Sequence, residues 1–339
     1  MKTLKAYLKK YFIDAMGAMA LGLFASLLIG TIFSTLGKYT GVGLFNEINE
    51  FAKISSGMAI GVAIAYSMKA HPLVIFSSAT VGYAAYSLGT SISESTVTAG
   101  PAGAFVAVIV AVEIGMLVSK KTRVDILVTP TVTILAGVLV AKLVCPGIAY
   151  GMYYLGEFVD TATQYQPLLM GIVIAVVVGV VLTLPISSAA LCAMIAIGGI
   201  AGGAAAVGCC CQMVGFAACS FRENKWGGVV SQGLGTSMLQ MGNICRNPRI
   251  WIAPTLSAAI CGPLSTMIFK LECTGVYAGM GTCGLVGPIG IVSASGTGAM
   301  TWIGIALLCI VLPAILSIAF TEIFRKIGWI REGDMKLEG

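Results

Sequence analysis

Four uncharged polar residues inside one apolar stretch are the first candidates for chemistry: Gln232, Thr236, Gln240 and Asn243. Their spacing places them on a single face of a helix. Amides and hydroxyls so arranged can donate to, and accept from, a neutral hydroxyl-rich solute. They can equally act as inter-helix glue, a contact worth about 0.6 kcal/mol on average in membranes. Two other places interrupt apolar runs. Leu184-Pro185-Ile186-Ser187-Ser188 sets a proline and two hydroxyls into one run, and GMGTCGLVGP (279–288) sets Gly281, Thr282 and Gly284 into another. Glycines there permit unusual backbone angles or close approach. The second run lacks the Lys-Ser/Thr ending of a phosphate loop, so nucleotide binding is not expected. Ser187, Ser188, Gln232, Thr236, Gln240, Asn243, Gly281, Thr282 and Gly284 are the expected solute-binding set.

Ionisable groups within lipid are costly and mark functional candidates. Glu113, in AFVAVIVAVEIGMLV, is the clearest. It is a candidate for proton coupling, with Lys142 or a backbone donor as the structural alternative. Cys209-Cys210-Cys211 and Cys219 lack the two-residue spacer of a structural zinc site, and His71, the sole histidine, lies far off beside Pro72. No metal, no cofactor and no nucleophile–base pair is expected, so the chain is not read as an enzyme.

The elements that position these groups follow from composition. Of 339 residues, 58% are hydrophobic and only 10% charged, with mean hydropathy +0.96. A soluble domain carries about 25% charged residues, so the solvent for most of this chain is the lipid bilayer. The 43 glycines suit helices that associate by close approach. The net charge of +6 sits at helix ends, where it reports topology rather than nucleic-acid binding.

Apolar spans are expected near 13–36, 54–69, 72–91, 101–119 and 126–146, then 167–184, 228–246, 250–270, 280–296 and 299–323. That makes an all-α polytopic protein of about ten crossings. The boundaries expected are an amphipathic, Lys-rich cytoplasmic N-terminus (1–12), a first five-helix half (13–160), a second half (161–324) and a cytoplasmic tail (325–339). Lys and Arg flanking the spans place both termini inside; 91–100 and the Tyr-rich stretch 147–166 lack them and are expected outside. Segment 187–219 reads as a re-entrant hairpin of two arms, each shorter than about 17 residues, broken at Gly198-Gly199 and Gly202-Gly203. A second re-entrant segment is expected at 279–290. The run from Gly57 to His71-Pro72 resembles that from Gly233 to Asn247-Pro248, which suggests inverted repeats.

RNPRIWIAPTLSAAICGPLSTMIF (246–269), GMGTCGLVGPIG (279–290) and TLPISSAALC (183–192) together resemble the membrane IIC proteins of the bacterial phosphotransferase system. The likeness is to the stand-alone EIIC family and, within it, the perfringolysin-O-regulator-like branch. It implies a homodimeric inner-membrane transporter, with ten spans and re-entrant hairpins around a carbohydrate-like site. The Gly-x-Thr-Glu-Pro-like segment that supplies a Glu in sugar-transporting relatives has no counterpart here. Phosphotransfer would require separate IIA and IIB phosphocarrier partners. The expected function is transport of a small polar solute by alternating access, the alternative being a membrane-embedded sensor that does not transport.

Overall fold

The computed structural model describes residues 9–92 and 95–337, which fold as an all-α polytopic membrane protein carrying one short β-hairpin. Two compact units divide the chain, Met1–Tyr153 and Tyr154–Gly339. The expected amphipathic N-terminus rests largely on residues 1–8, which lie outside the described residues.

The first unit opens with a helical run, α1 (9–40), that includes π turns at Lys9–Ala15 and Phe24–Leu28. Helix α2 (Gly43–Ser67) packs on α3 (Pro72–Ser87). A methyl at Gly61 would strike the carbonyl of Ser78, so this crossing depends on a residue without a side chain. Helix α3 starts because Pro72 supplies a preset helical φ where no N–H is needed, after an extended His71. It ends at Ser87, short of the expected residue 91. The Thr, Ser, Ile and Val that follow favour extended backbone. They form β1 (Gly89–Ile92) and β2 (Ser95–Thr98), paired antiparallel from Gly89↔Thr98 to Ile92↔Ser95.

After α4 (Gly100–Val118) comes α5 (Asp125–Ala162), and here the expected boundary at residue 146 is corrected. The helix runs 38 residues, through Pro130 and Pro146. Each proline removes one backbone hydrogen bond, but the Ala, Met, Leu and Glu beyond Pro146 are good helix formers and carry it on. Its 38 residues exceed the roughly 20 that a bilayer crossing needs. The boundary between the units falls within this helix.

The second unit contains α6 (Pro167–Thr183), α7 (Ser188–Met194), α8 (Gly199–Cys219), α9 (Phe221–Val230), α10 (Met241–Arg246), α11 (Pro248–Phe269), α12 (Gly275–Ala278), α13 (Val286–Ser295) and α14 (Ala299–Lys326). Helix α8 is its core, buried along nearly its whole length among α6, α11 and α14. Its run of Gly, Ala and Cys is what allows neighbours on every side.

Two sequence expectations are corrected in this unit. The arms of 187–219 are not both short, since α8 has 21 residues and is long and apolar enough to cross a membrane. The interruption lies at 195–198, where Ala196 takes φ +47°. Gly202 and Gly203 sit inside the helix as contact points, where methyl groups would run into the carbonyls of Cys273 and Leu271. The second correction concerns 228–246, which is not one helix. A π turn (Ser231–Gly235) leads to an extended Thr236 (φ −159°, ψ 142°), then to a 3-10 turn (Ser237–Gln240) and α10.

Among the described residues, six helices are long and apolar enough to span by length and composition. The other expected spans occur as helices that are shorter or more polar (α2, α3, α6), or as the broken segments 231–246 and 275–295.

Candidate functional site

Three broken places in the second unit come together, and hydroxyl groups join them. After α6 the chain turns extended at Leu184, and Ser187 caps α7 by accepting from the Ala190 N–H at 3.2 Å. Ser188 donates to the carbonyl of Gly279 at 2.7 Å, tying the first break to the Gly-rich one. Thr282 donates to the carbonyl of Gly233, tying the Gly-rich break to the 231–240 segment. Thr183 Oγ1 lies 2.8 Å from Ser237 Oγ and closes the ring between the first break and that segment.

The Gly-rich turn is shaped by positive φ at Gly281 (+55°), Gly284 (+51°) and Leu285 (+61°). The Gly287 N–H reaches back to the Gly281 carbonyl at 2.8 Å. An added Cβ at Gly281 would lie 2.9 Å from the carbonyl carbon of Cys209, so the turn is seated on the backbone of α8.

Gln232, Thr236, Gln240 and Asn243 are close together, but not as one helical face. Extended Thr236 breaks the helix, and its Oγ1 accepts from the Met238 N–H at 3.1 Å. The three amides form a ladder across the break. Gln240 donates to Gln232 (2.9 Å) and Asn243 to Gln240 (2.8 Å). Gln232 uses its own N–H groups on Ser220 (2.8 Å) and the Gly228 carbonyl (3.1 Å). The second N–H of Gln240 goes to the carbonyl of Met335, and that of Asn243 to the carbonyl of Lys336, both at 2.9 Å. Every amide hydrogen of the ladder therefore has an acceptor inside the protein, two of them on the C-terminal tail.

A second buried network escaped the sequence reading. Gln212 accepts from Trp251 Nε1 (3.1 Å) and donates to Thr255 Oγ1 (3.1 Å), with Thr183 at 3.5 Å. Gln212, Thr183 and Ser237 are fully buried. The available signal was Gln212 itself, a lone amide in the apolar run AAAVGCCCQMVGF.

In the first unit Glu113 is ion-paired with Lys10 and accepts from the Tyr11 hydroxyl at 2.9 Å. The basic partner is thus Lys10, in place of the Lys142 suggested by sequence. In the second unit Arg325 lies 3.2 Å from Glu223 Oε1, which also accepts from the Gly333 N–H at 3.1 Å. Burial pushes the Glu223 carboxyl up from its usual range, with the Gly333 bond and Arg325 pulling against it. A cavity of about 430 Å³ lies nearby, lined by Ala217, Phe221, Trp226, Ile310 and Ile318. At its edge Arg222 pairs with Glu322 at 3.1 Å. Its walls are largely apolar, with Arg222, Thr321, Glu322 and Arg325 among the polar groups on them.

No curated protein and no solved structure matches this chain. The family model described as "Phosphotransferase system, EIIC" matches residues 13–337. Three broken, polar segments joined inside an apolar helical unit fit that assignment. The chain belongs to the phosphotransferase-system EIIC family, membrane transporter components for sugar-like substrates.

Proposed function

We propose that the chain transports a small polar, sugar-like solute by alternating access, with the converging breaks of the second unit as its site. One observation carries this reading: Ser188, Thr282 and the Thr183–Ser237 pair join three stretches of irregular backbone. Non-helical backbone at membrane depth is tolerated where protein buries it or where it lines a polar cavity. Transporters place substrate at such breaks. The shell comprises Ser187, Ser188, Thr282 and the Gly281–Gly284 backbone, with Thr183, Ser237 and Gln212 behind it. Gln232, Thr236, Gln240 and Asn243 form the adjoining wall. In this reading 187–198 and 279–290 are the re-entrant parts, and the protein works as a homodimer in a bacterial inner membrane with both termini cytoplasmic. IIA and IIB phosphocarriers are its proposed partners.

A sensor that binds without transporting is the second reading. The tail's contact with Gln240 and Asn243 favours it, because a ligand there would be felt at the tail. Uptake of radiolabelled hexoses and hexitols into proteoliposomes separates the two. Saturable uptake supports transport; saturable binding without uptake, in the presence and absence of IIA and IIB proteins, supports sensing.

A further inference from the structure

The tail that follows α14 is held in an unusual way. It turns back at Gly328 (φ +80°) and Gly333 (φ +92°), and its described residues, 327–337, form no helix or strand. Ile330 and Met335 are buried. Among the described residues, seven hydrogen bonds tie it to side chains of the single stretch 223–247. Asn224 brackets the tail, donating to the Met335 carbonyl and accepting from the Leu337 N–H, each at 2.8 Å. Asn247 donates to the Trp329 carbonyl (3.0 Å) and to Asp334 (2.7 Å). Gln240, Asn243 and Glu223 supply the rest.

Side-chain amides that read the backbone of an irregular, turn-rich segment make a peptide-binding site. We propose that Asn224, Gln240, Asn243 and Asn247 form such a site, whose ligand is this chain's own residues 329–337, and that the tail is a latch holding the broken segment 231–247 in one conformation. Two features support a latch over fixed packing. The tail crosses both sides of the Thr236 break, touching Asn224 before it and Gln240, Asn243 and Asn247 after it, so it spans the break itself. Its hold also rests on replaceable hydrogen bonds and two apolar anchors, so release leaves the helices around it intact. While the latch is closed, Gln240 and Asn243 have no N–H to offer a solute.

Hydrogen–deuterium exchange on the full-length protein in nanodiscs tests this with no solute present, so the outcome is independent of the transport reading. The Gly333 and Leu337 amides of the wild type should exchange at least about tenfold more slowly than in an unstructured peptide. Asn224→Ala attacks the contact from the receptor side and Met335→Asp from the tail side. Each should remove most of that protection and speed exchange in 232–246 by about tenfold, leaving α8 and α11 unchanged. The proposal is overturned if the wild-type tail exchanges like a free peptide. It is also overturned if both variants free the tail without loosening 232–246, or if loosening spreads equally through α8 and α11.

Discussion

Gln240 donates to the side-chain oxygen of Gln232, eight residues earlier in the chain, at 2.9 Å. In a regular helix residues so spaced are about 12 Å apart along the axis, beyond the reach of two glutamines meeting side by side. The bond exists because extended Thr236 folds the segment back on itself. The amide ladder is therefore a product of the break, and it reports whether the break is intact.

Replacing Gln240 by Leu should leave the side-chain oxygen of Gln232 and one N–H of Asn243 without a partner in a buried place, while the Met335 carbonyl keeps only Asn224. A buried group left without its hydrogen bond costs about 1–3 kcal/mol. The variant should unfold at lower temperature or denaturant concentration than wild type in the same detergent. A stability equal to wild type would mean that the ladder contributes nothing.

Gly281→Ala places a side chain at positive φ and against the backbone of Cys209. Strain at a non-glycine residue in that region is of order 1–3 kcal/mol, and the steric contact adds to it. The expected result is a destabilised protein with weakened solute binding. Gly275→Ala is the useful control, because its φ is also positive (+49°) but open space surrounds it; it should be the milder of the two.

Glu223 makes a pH prediction with a definite sign. Burial raises its folded pKa, so the folded protein favours the protonated form more than the unfolded chain does. Its contribution to stability is complete below the ordinary Glu value, near about 4.3, and is lost as pH rises through the raised folded value. Tm measured against pH for wild type and Glu223→Gln should diverge over that window, the wild type losing ground as pH rises. Parallel curves would show that Glu223 does not sense folding.

The pair of Lys10 and Glu113 is partly exposed, and such pairs contribute about 0–1 kcal/mol. With Lys10 and Tyr11 satisfying its carboxylate, Glu113 needs no transport role to account for its place. Glu113→Gln should lower Tm slightly and leave uptake equally responsive to an imposed pH gradient. Loss of gradient dependence alone would instead make Glu113 the coupling group.

The sequence was most legible where lipid is the solvent. Long apolar runs became helices, and the Pro-marked starts at residues 72, 167 and 248 were readable because proline presets φ. The hydroxyls Ser188 and Thr282 were visible as interruptions of apolar runs. Their partners were not, because both bond to backbone carbonyls of distant segments, Gly279 and Gly233. Helical spacing misled at 232–243, since the regular spacing of polar residues there coincides with a break that periodicity cannot reveal. Tail docking was equally hidden. Asn224 and Asn247 look like turn residues in sequence, and only the fold brings Met335 and Asp334 to them.

Equilibrium binding of radiolabelled hexoses and hexitols to the full-length protein in nanodiscs tests the central claim most directly, comparing wild type with Ser188→Ala and Thr282→Val. The converging breaks as solute site predict saturable binding of at least one such solute. Both variants should weaken it by about tenfold, one lost charge-free hydrogen-bond site being worth about 1–1.5 kcal/mol, and each should stay folded at a lowered Tm, since a buried carbonyl loses its donor. Saturable binding that both well-folded variants leave untouched, or no binding across the whole set, would contradict the assignment.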